Sequence, residues 1–324
     1  MSENKVKTIG VLTSGGDAPG MNAVIRSVVR TGIAKGMRVV GIRQGYVGLM
    51  TGDIMEMGLR SVSDIIQLGG TMLYTARSKE FNSPDGVKKA ADKCREMGID
   101  GIVVIGGDGS FRGARDLSLE GIPCIGIPGT IDNDISSSDY TVGFDTALNT
   151  VCEMVDKLRS TTQSHYRCSV VEVMGRHAGH IALEAGIAVG ATCIIVEEVP
   201  HDINDIIAKI EKSRELGKHH FIVMVSEGVG HSEEIAKQIE EGTGIESRAT
   251  ILGHVQRGGA PTVRDRVVAT KLGYYGVELL EKGIGNRVVV IKGGKVVDYD
   301  ILEALSMKKT IDMNLYKIAH EISI

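Results

Sequence analysis

Tryptophan is absent from this 324-residue sequence, and aromatic residues make up only 4% of it. Stacking platforms for single-stranded nucleic acid need such side chains, so that class of partner is poorly served. Nor is there an excess of positive charge. Against 37 basic residues stand 41 acidic ones, a formal charge of −4, which leaves no general field to attract a polyanion. No apolar run reaches the ~20 residues of a membrane helix, so no membrane partner is expected. The opening Met1-Ser2-Glu3-Asn4-Lys5 lacks the apolar core of a secretory signal. Cysteines are few: Cys94, Cys124, Cys152, Cys168 and Cys193 are scattered, odd in number and form no CxxC pair. Neither a disulfide framework nor a zinc site is expected, and a cytoplasmic location follows. With 6 prolines and no low-complexity tract, disorder is also a poor reading.

What is abundant is glycine, 42 residues, set among apolar runs in a chain that is 42% hydrophobic. The length suggests about two domains. Short apolar, β-branched runs occur at 8–13, 38–42, 102–105, 124–127, 169–173, 193–196, 221–225, 288–291 and 295–297. Helical periodicity lies between most of them, at 21–35, 86–97, 144–159, 204–216, 233–241 and 265–281. Runs that are apolar throughout, rather than alternating, belong to strands buried on both faces. Alternation of such strands with helices predicts an α/β fold with parallel sheets sandwiched by helices. Segments 8–35 and 169–188 share a strand, a glycine turn and an apolar helix, compatible with two similar lobes and ligands at a cleft between them.

Three loops that follow strands carry unusual residues. In Ser14-Gly15-Gly16-Asp17-Ala18-Pro19-Gly20-Met21-Asn22, adjacent glycines would let a phosphate approach backbone N–H groups ahead of a helix. Met21-Asn22 stands where a Walker A loop needs Lys-Ser/Thr, and the GxGxxG dinucleotide fingerprint is missing. Gly106-Gly107-Asp108-Gly109-Ser110 offers a carboxylate that suits Mg²⁺ shared with phosphate oxygens. Pro128-Gly129-Thr130-Ile131-Asp132-Asn133-Asp134 offers one carboxylate as a general base, another near a metal, and a hydroxyl for a transferring phosphoryl group. Taken singly, each loop has a plainer reading as a turn or helix cap. Three in succession at strand ends resist it.

Together with Val173-Met174-Gly175-Arg176, Ser226-Glu227-Gly228 and Leu252-Gly253-His254-Val255-Gln256-Arg257-Gly258-Gly259, these loops make the chain resemble the bacterial ATP-dependent 6-phosphofructokinases along essentially its whole length. The resemblance implies two doubly wound, Rossmann-like three-layer lobes. A larger ATP-binding lobe would comprise 1–143 plus 257–305, and a smaller fructose 6-phosphate lobe 144–256 plus 306–324. It implies Mg²⁺-dependent phosphorylation of fructose 6-phosphate at its 1-hydroxyl, the committed step of glycolysis. Asp132 would be the general base, with Thr130 and Arg176 also catalytic. Gly16, Arg77, Ser78, Gly107, Asp108, Gly109 and Ser110 would hold ATP. Thr130, Ile131, Asp132, Met174, Gly175, Arg176, Glu227, His254 and Arg257 would hold the sugar phosphate, joined by Arg167 and Arg248 from a neighbouring subunit. Asp108 would hold the metal, with Asp134 near it indirectly.

Arg77 and Arg176 otherwise read as exposed ion-pair partners, and Met174 as core. His177 and His180 have H-x-x-H spacing, but without a third ligand they read as a helix surface. Pyrophosphate-dependent members of the family tend to carry Asp and Lys at the positions of Gly109 and Gly129, so both glycines point to ATP. A pyrophosphate-dependent enzyme or a non-catalytic binding subunit is the alternative. The resemblance further implies a homotetramer and an effector pocket for ADP or phosphoenolpyruvate, formed by Arg26, Arg30, Asp64, Arg159, Gly190, Lys218 and His220. There Thr192, Leu216 and His219 replace an acidic and two basic family residues, so an altered effector response is expected.

Overall fold

Strand β1 (Thr8–Ser14) is buried at every residue, as its unbroken apolar run requires of a central parallel strand. The computed structural model to which it belongs describes residues 6–323. The chain continues through α1 (Met21–Ala34), β2 (Arg38–Ile42), α2 (Gly45–Thr51), β3 (Ile54–Glu56), α3 (Pro84–Glu96), β4 (Gly101–Gly106), α4 (Asp108–Leu119) and β5 (Cys124–Pro128). Next come α5 (Phe144–Ser164), β6 (Cys168–Val173), α6 (His180–Ala188), β7 (Cys193–Ile195), α7 (Ile203–Glu215), β8 (Phe221–Ser226), α8 (Ser232–Thr243) and β9 (Ser247–Ile251). A 3₁₀ turn (Gly253–Arg257) then leads to α9 (Val263–Glu281), β10 (Arg287–Lys292), β11 (Lys295–Asp300), α10 (Ile301–Ser306) and α11 (Met313–Ile322). Capping follows local chemistry: Ser83, Asp202, Thr262, Asp300 and Asp312 each accept first-turn amides through their side chains.

Two compact units result: residues 1–146 with 257–309, and residues 147–256 with 310–324. The first crossing falls inside α5 rather than ahead of it. The first unit holds a seven-stranded sheet in the order β11-β10-β5-β4-β1-β2-β3. Helices α1 and α9 pack together on one face, and α2, α3, α4 and α10 on the other. The chain winds outward from β1 to β2 and then returns to the other side of β1 with β4. That reversal makes the β1–β4 boundary a switch point, where open α/β sheets bind ligands. Register sharpens it. Ser14 pairs with Gly106 and Gly106 with Pro128, so the three candidate loops leave the sheet side by side, about 5 Å apart.

Not every strand is parallel. β3 and β11 run antiparallel at the two edges. In the β10–β11 hairpin, Gly293 (φ 56°) and Gly294 (φ 75°) form the two-residue turn. Two consecutive positive φ values are what a type I′ hairpin demands, and a connection this short cannot return a parallel strand.

The second unit holds four parallel strands in the order β7-β8-β6-β9. The aliphatic residues of α7 and α8 close one face, where Ile206, Ile210, Ile235 and Ile239 pack on Val170 and Val223. α6 and α11 pack on each other and on this sheet. Among the described residues no helix is long and apolar enough to cross a membrane.

Candidate active site

In the first unit the three loops are laced into one surface. The Ser110 hydroxyl donates to the Ser14 carbonyl at 2.9 Å, and the Ser110 carbonyl accepts from the Tyr46 hydroxyl at 2.6 Å. Ser110 is thereby buried, and its side chain joins the first loop to the second. The irregular segment bearing Arg77 and Ser78 is fastened to the same place. Thr75 Oγ1 donates to Gly15 O (2.7 Å), Thr13 Oγ1 to Tyr74 O (2.8 Å), and the Met72 amide to Asn22 Oδ1 (2.8 Å). Arg77 is exposed, with no carboxylate partner among the described residues. Ser78 Oγ accepts from the Phe81 amide at 3.0 Å.

Asp108 opens α4, where the helix dipole favours anions, and its Oδ2 accepts from Arg112 Nε at 2.9 Å. A Cβ at Gly109 would meet nothing within 4 Å, so the protein itself tolerates a side chain there. Gly129 is different. Its Cβ would stand 2.9 Å from Ile105 Cγ2 and 3.2 Å from Met21 Cε, inside the apolar core. Packing in this chain therefore restricts side chains at that position, which makes Gly129 a weaker donor marker than Gly109.

The third loop is almost wholly interior. Asp132 is 1% exposed, Thr130 7% and Ile131 fully buried. Ile131 presents no surface to solvent. The Asp132 amide donates to Thr130 Oγ1 at 3.2 Å, and Thr141 Oγ1 holds the Thr130 carbonyl at 2.6 Å. Lys309 braces the loop from behind, donating to Asn133 O (2.6 Å), Asn133 Oδ1 (3.1 Å) and Ser138 O (2.8 Å). Arg257 Nη1 donates to Asp17 O at 3.1 Å, and a Cβ at Gly16 would lie 2.5 Å from that nitrogen. Arg257 therefore stands on the first loop.

In the second unit Val173 pairs with Ser226 and Glu172 with Ile251, bringing the segments after β6, β8 and β9 together. Glu227 Oε1 accepts from the Gly175 amide at 3.2 Å and also from that of Arg176, holding Arg176 in an exposed, left-handed conformation (φ 55°). Gln256, fully buried, accepts from the Met174 amide (3.1 Å) and donates to Gly253 O (2.9 Å). It links the end of β6 to the turn that carries exposed His254. Met174 itself is 9% exposed and packs as core. His177 is exposed and bonded to Glu197 at 3.0 Å. His180 is buried at the start of α6, which corrects the helix-surface reading of that histidine.

Arg167 and Arg248 lie elsewhere. Arg167 precedes β6, and Arg248 pairs with Ser169. Both are at the amino-terminal end of this sheet, about 16–23 Å of strand from Met174 and Glu227.

The proposed effector residues form two groups. Arg159 donates to Val189 O, next to Gly190, and Lys218 Nζ donates to the buried Thr192 hydroxyl at 3.0 Å. Burial and then the Arg159 charge lower the pKa of both Lys218 and His220, the signature of crowded cations. Arg26 and Arg30 belong to the first unit, in a groove with Lys271 and Tyr274. Asp64, in the same unit, is exposed at φ 57°. Asn22, Gln256, Lys309 and Asp265 escaped sequence reasoning. Asn22 and Gln256 lay within motifs already singled out, whereas Lys309 and Asp265 carried no signal.

A doubly wound α/β protein results, with two phosphate-type loops and a buried carboxylate at the switch point of its larger sheet. Those features define a nucleotide- or phosphate-handling class. The chain belongs to the phosphofructokinase family, whose model, described as Phosphofructokinase, matches residues 8–280. An ATP-dependent 6-phosphofructokinase from Bacillus cytotoxicus is 54% identical over 319 residues, covering 98% of this chain and 100% of the relative. Another from Bacillus subtilis is 53% identical with the same coverage. Among solved structures, Pichia pastoris phosphofructokinase in the T-state matches with a TM-score of 0.89 at 36% identity. That match covers 99% of this chain and only 37% of the yeast chain.

Proposed function

We propose that this chain transfers the γ-phosphoryl group of ATP to the 1-hydroxyl of D-fructose 6-phosphate, giving fructose 1,6-bisphosphate and ADP. The observation that carries this is 54% identity along the whole chain with ATP-dependent 6-phosphofructokinases. Buried Asp132 beside the two phosphate-type loops supports it. Asp132 accepts the proton of the 1-hydroxyl as that oxygen attacks phosphorus. The Gly16 N–H, the Thr130 hydroxyl, Arg77 and Arg176 neutralise charge on the transferring group, which is most of what phosphoryl transfer needs from a protein.

Among the described residues no group of three acidic, His or Cys side chains is arranged to hold a metal ion alone. A single carboxylate at a helix start fits Mg²⁺, which takes one or two carboxylates and otherwise water and phosphate oxygens. Asp108 would hold it, with Asp134 acting through water or substrate, and the ion would supply charge neutralisation at the phosphates. The first unit is the ATP-binding lobe, with Ser78, Gly107, Gly109 and Ser110 forming its nucleotide contacts. Ile131, Met174, Gly175, Glu227, His254 and Arg257 contact the sugar phosphate. Arg167 and Arg248 serve a neighbouring copy in a homotetramer.

An anionic effector such as ADP or phosphoenolpyruvate is taken up by Arg159, Gly190, Lys218 and His220, with Arg26, Arg30 and Asp64 supplied across a subunit interface of the homotetramer. Thr192, bonded to Lys218, supplies no negative charge to offset the cations there. The enzyme works in the cytoplasm.

Fructose 1,6-bisphosphate formation from fructose 6-phosphate and Mg²⁺, with ATP or pyrophosphate as donor, tests the reading. Turnover with ATP alone is expected. Turnover with pyrophosphate would overturn the donor, and no turnover with either would reduce the chain to a binding subunit.

A further inference from the structure

Arg167 and Arg248 are not independent side chains. Glu246 Oε2 accepts from Arg167 Nε at 2.7 Å, while Oε1 accepts from Arg248 Nε at 2.9 Å and Nη2 at 2.7 Å. Its backbone is fixed from both sides: the Glu246 carbonyl accepts from the Cys168 amide (2.9 Å), and the next amide, of Ser247, donates to Glu240 (3.1 Å). Hydrogen bonds from Arg167 and then Arg248 hold the Glu246 carboxyl below its ordinary range, so it is ionised at neutral pH. Two guanidiniums brought together without such a carboxylate would repel each other.

The geometry also decides which donors are used. Each guanidinium has five N–H groups. Glu246 engages Nε of both arginines and one terminal nitrogen of Arg248. The terminal edge of Arg167 and Nη1 of Arg248 carry no further hydrogen bond among the described residues. Arg248 is 70% exposed and Arg167 28%.

We propose that Glu246 is a positioning residue for the sugar phosphate. Its carboxylate gathers Arg167 and Arg248 by their Nε sides and leaves the remaining N–H groups as a paired site for a phosphate dianion. This rests on the proposed role of the two arginines.

The test is steady-state kinetics of the full-length enzyme with Glu246→Gln, which keeps the volume but removes the charge. KM for fructose 6-phosphate should rise about three- to tenfold, the range of two exposed ion pairs. KM for ATP and kcat at saturation should stay within about twofold. Glu246→Asp, which restores the charge, should recover part of the loss. In an Arg167→Ala/Arg248→Ala background the Gln substitution should add nothing, because its effect travels through those side chains. An unchanged or lowered sugar KM in Glu246→Gln, with Arg248→Ala still impaired, would overturn the positioning role and leave the arginines' role intact. Normal sugar KM in Arg248→Ala would instead remove the reading on which it stands.

Discussion

Asp265, in the first turn of α9, is fully buried and belongs to no motif, yet much of the first unit hangs on it. Its carboxylate accepts from the Tyr140 hydroxyl, the Gly143 amide (2.8 Å), the Thr146 amide (2.9 Å) and the Thr146 hydroxyl. Burial raises its pKa, while the bonds from Thr146, Tyr140 and Gly143 pull the other way. Replacing it with alanine takes this acceptor from two buried amides, at about 1–3 kcal/mol each, so a loss of about 2–6 kcal/mol is expected. That is a large part of the ~5–15 kcal/mol typical of a folded domain. Asparagine keeps one carbonyl oxygen and should lose about half as much.

Urea unfolding followed by far-UV circular dichroism and tyrosine fluorescence should rank wild type above Asp265→Asn above Asp265→Ala. Because Thr141 also holds the Thr130 carbonyl, kcat should fall in the same order. An alanine variant within about 0.5 kcal/mol of wild type would refute the reasoning, since no well-connected buried carboxylate is that dispensable.

Three further outcomes are expected. Asp132→Asn should lower kcat by about 10²–10⁴, the usual worth of a lost general base, with small changes in either KM; near-normal turnover would remove it from that role. Gly109→Asp should leave the melting temperature unchanged, because its Cβ meets open space. The same variant should cut kcat/KM for ATP about tenfold or more by setting like charge beside phosphate; equal ATP use would show that the nucleotide passes elsewhere. Asp139 gives a pH prediction. Burial alone would raise its pKa, but Lys292, the Gly293 amide and Lys309 bring it below the ordinary value. Its stabilisation is therefore present above the unfolded pKa and lost as pH falls through the lower, folded one. Asp139→Asn should lose less stability than wild type on acidification below about pH 4, and parallel acid-unfolding curves would contradict this.

Local chemistry made much of this protein readable from its residues alone. β1, β4, β5, β6 and β8 are short apolar runs without alternation, and burial on both faces is the one environment that suits them. The three loops were equally visible, because glycine, carboxylate and hydroxyl groups needed at a strand end lie within a few residues of one another. β9 was missed for the opposite reason. Its Ser-Arg-Ala-Thr-Ile run is polar and half exposed at the sheet edge, so it carries no apolar signal. The helix α4 was hidden inside what reads as a glycine loop.

Direction and partnership were decided only in three dimensions. Nothing in the sequence distinguishes Gly109, whose Cβ would face open space, from Gly129, whose Cβ would enter the core. His180 reads as a surface residue until α6 packs against its sheet. Lys309 meets Asn133 across 176 residues of chain, and Asp265 meets Tyr140 across 125. A residue's periodicity is a local property, set by 3.6 or 2 residues per repeat. Its hydrogen-bond partner depends on which distant segments the sheet order brings together, and that order is settled by the packing of the whole chain.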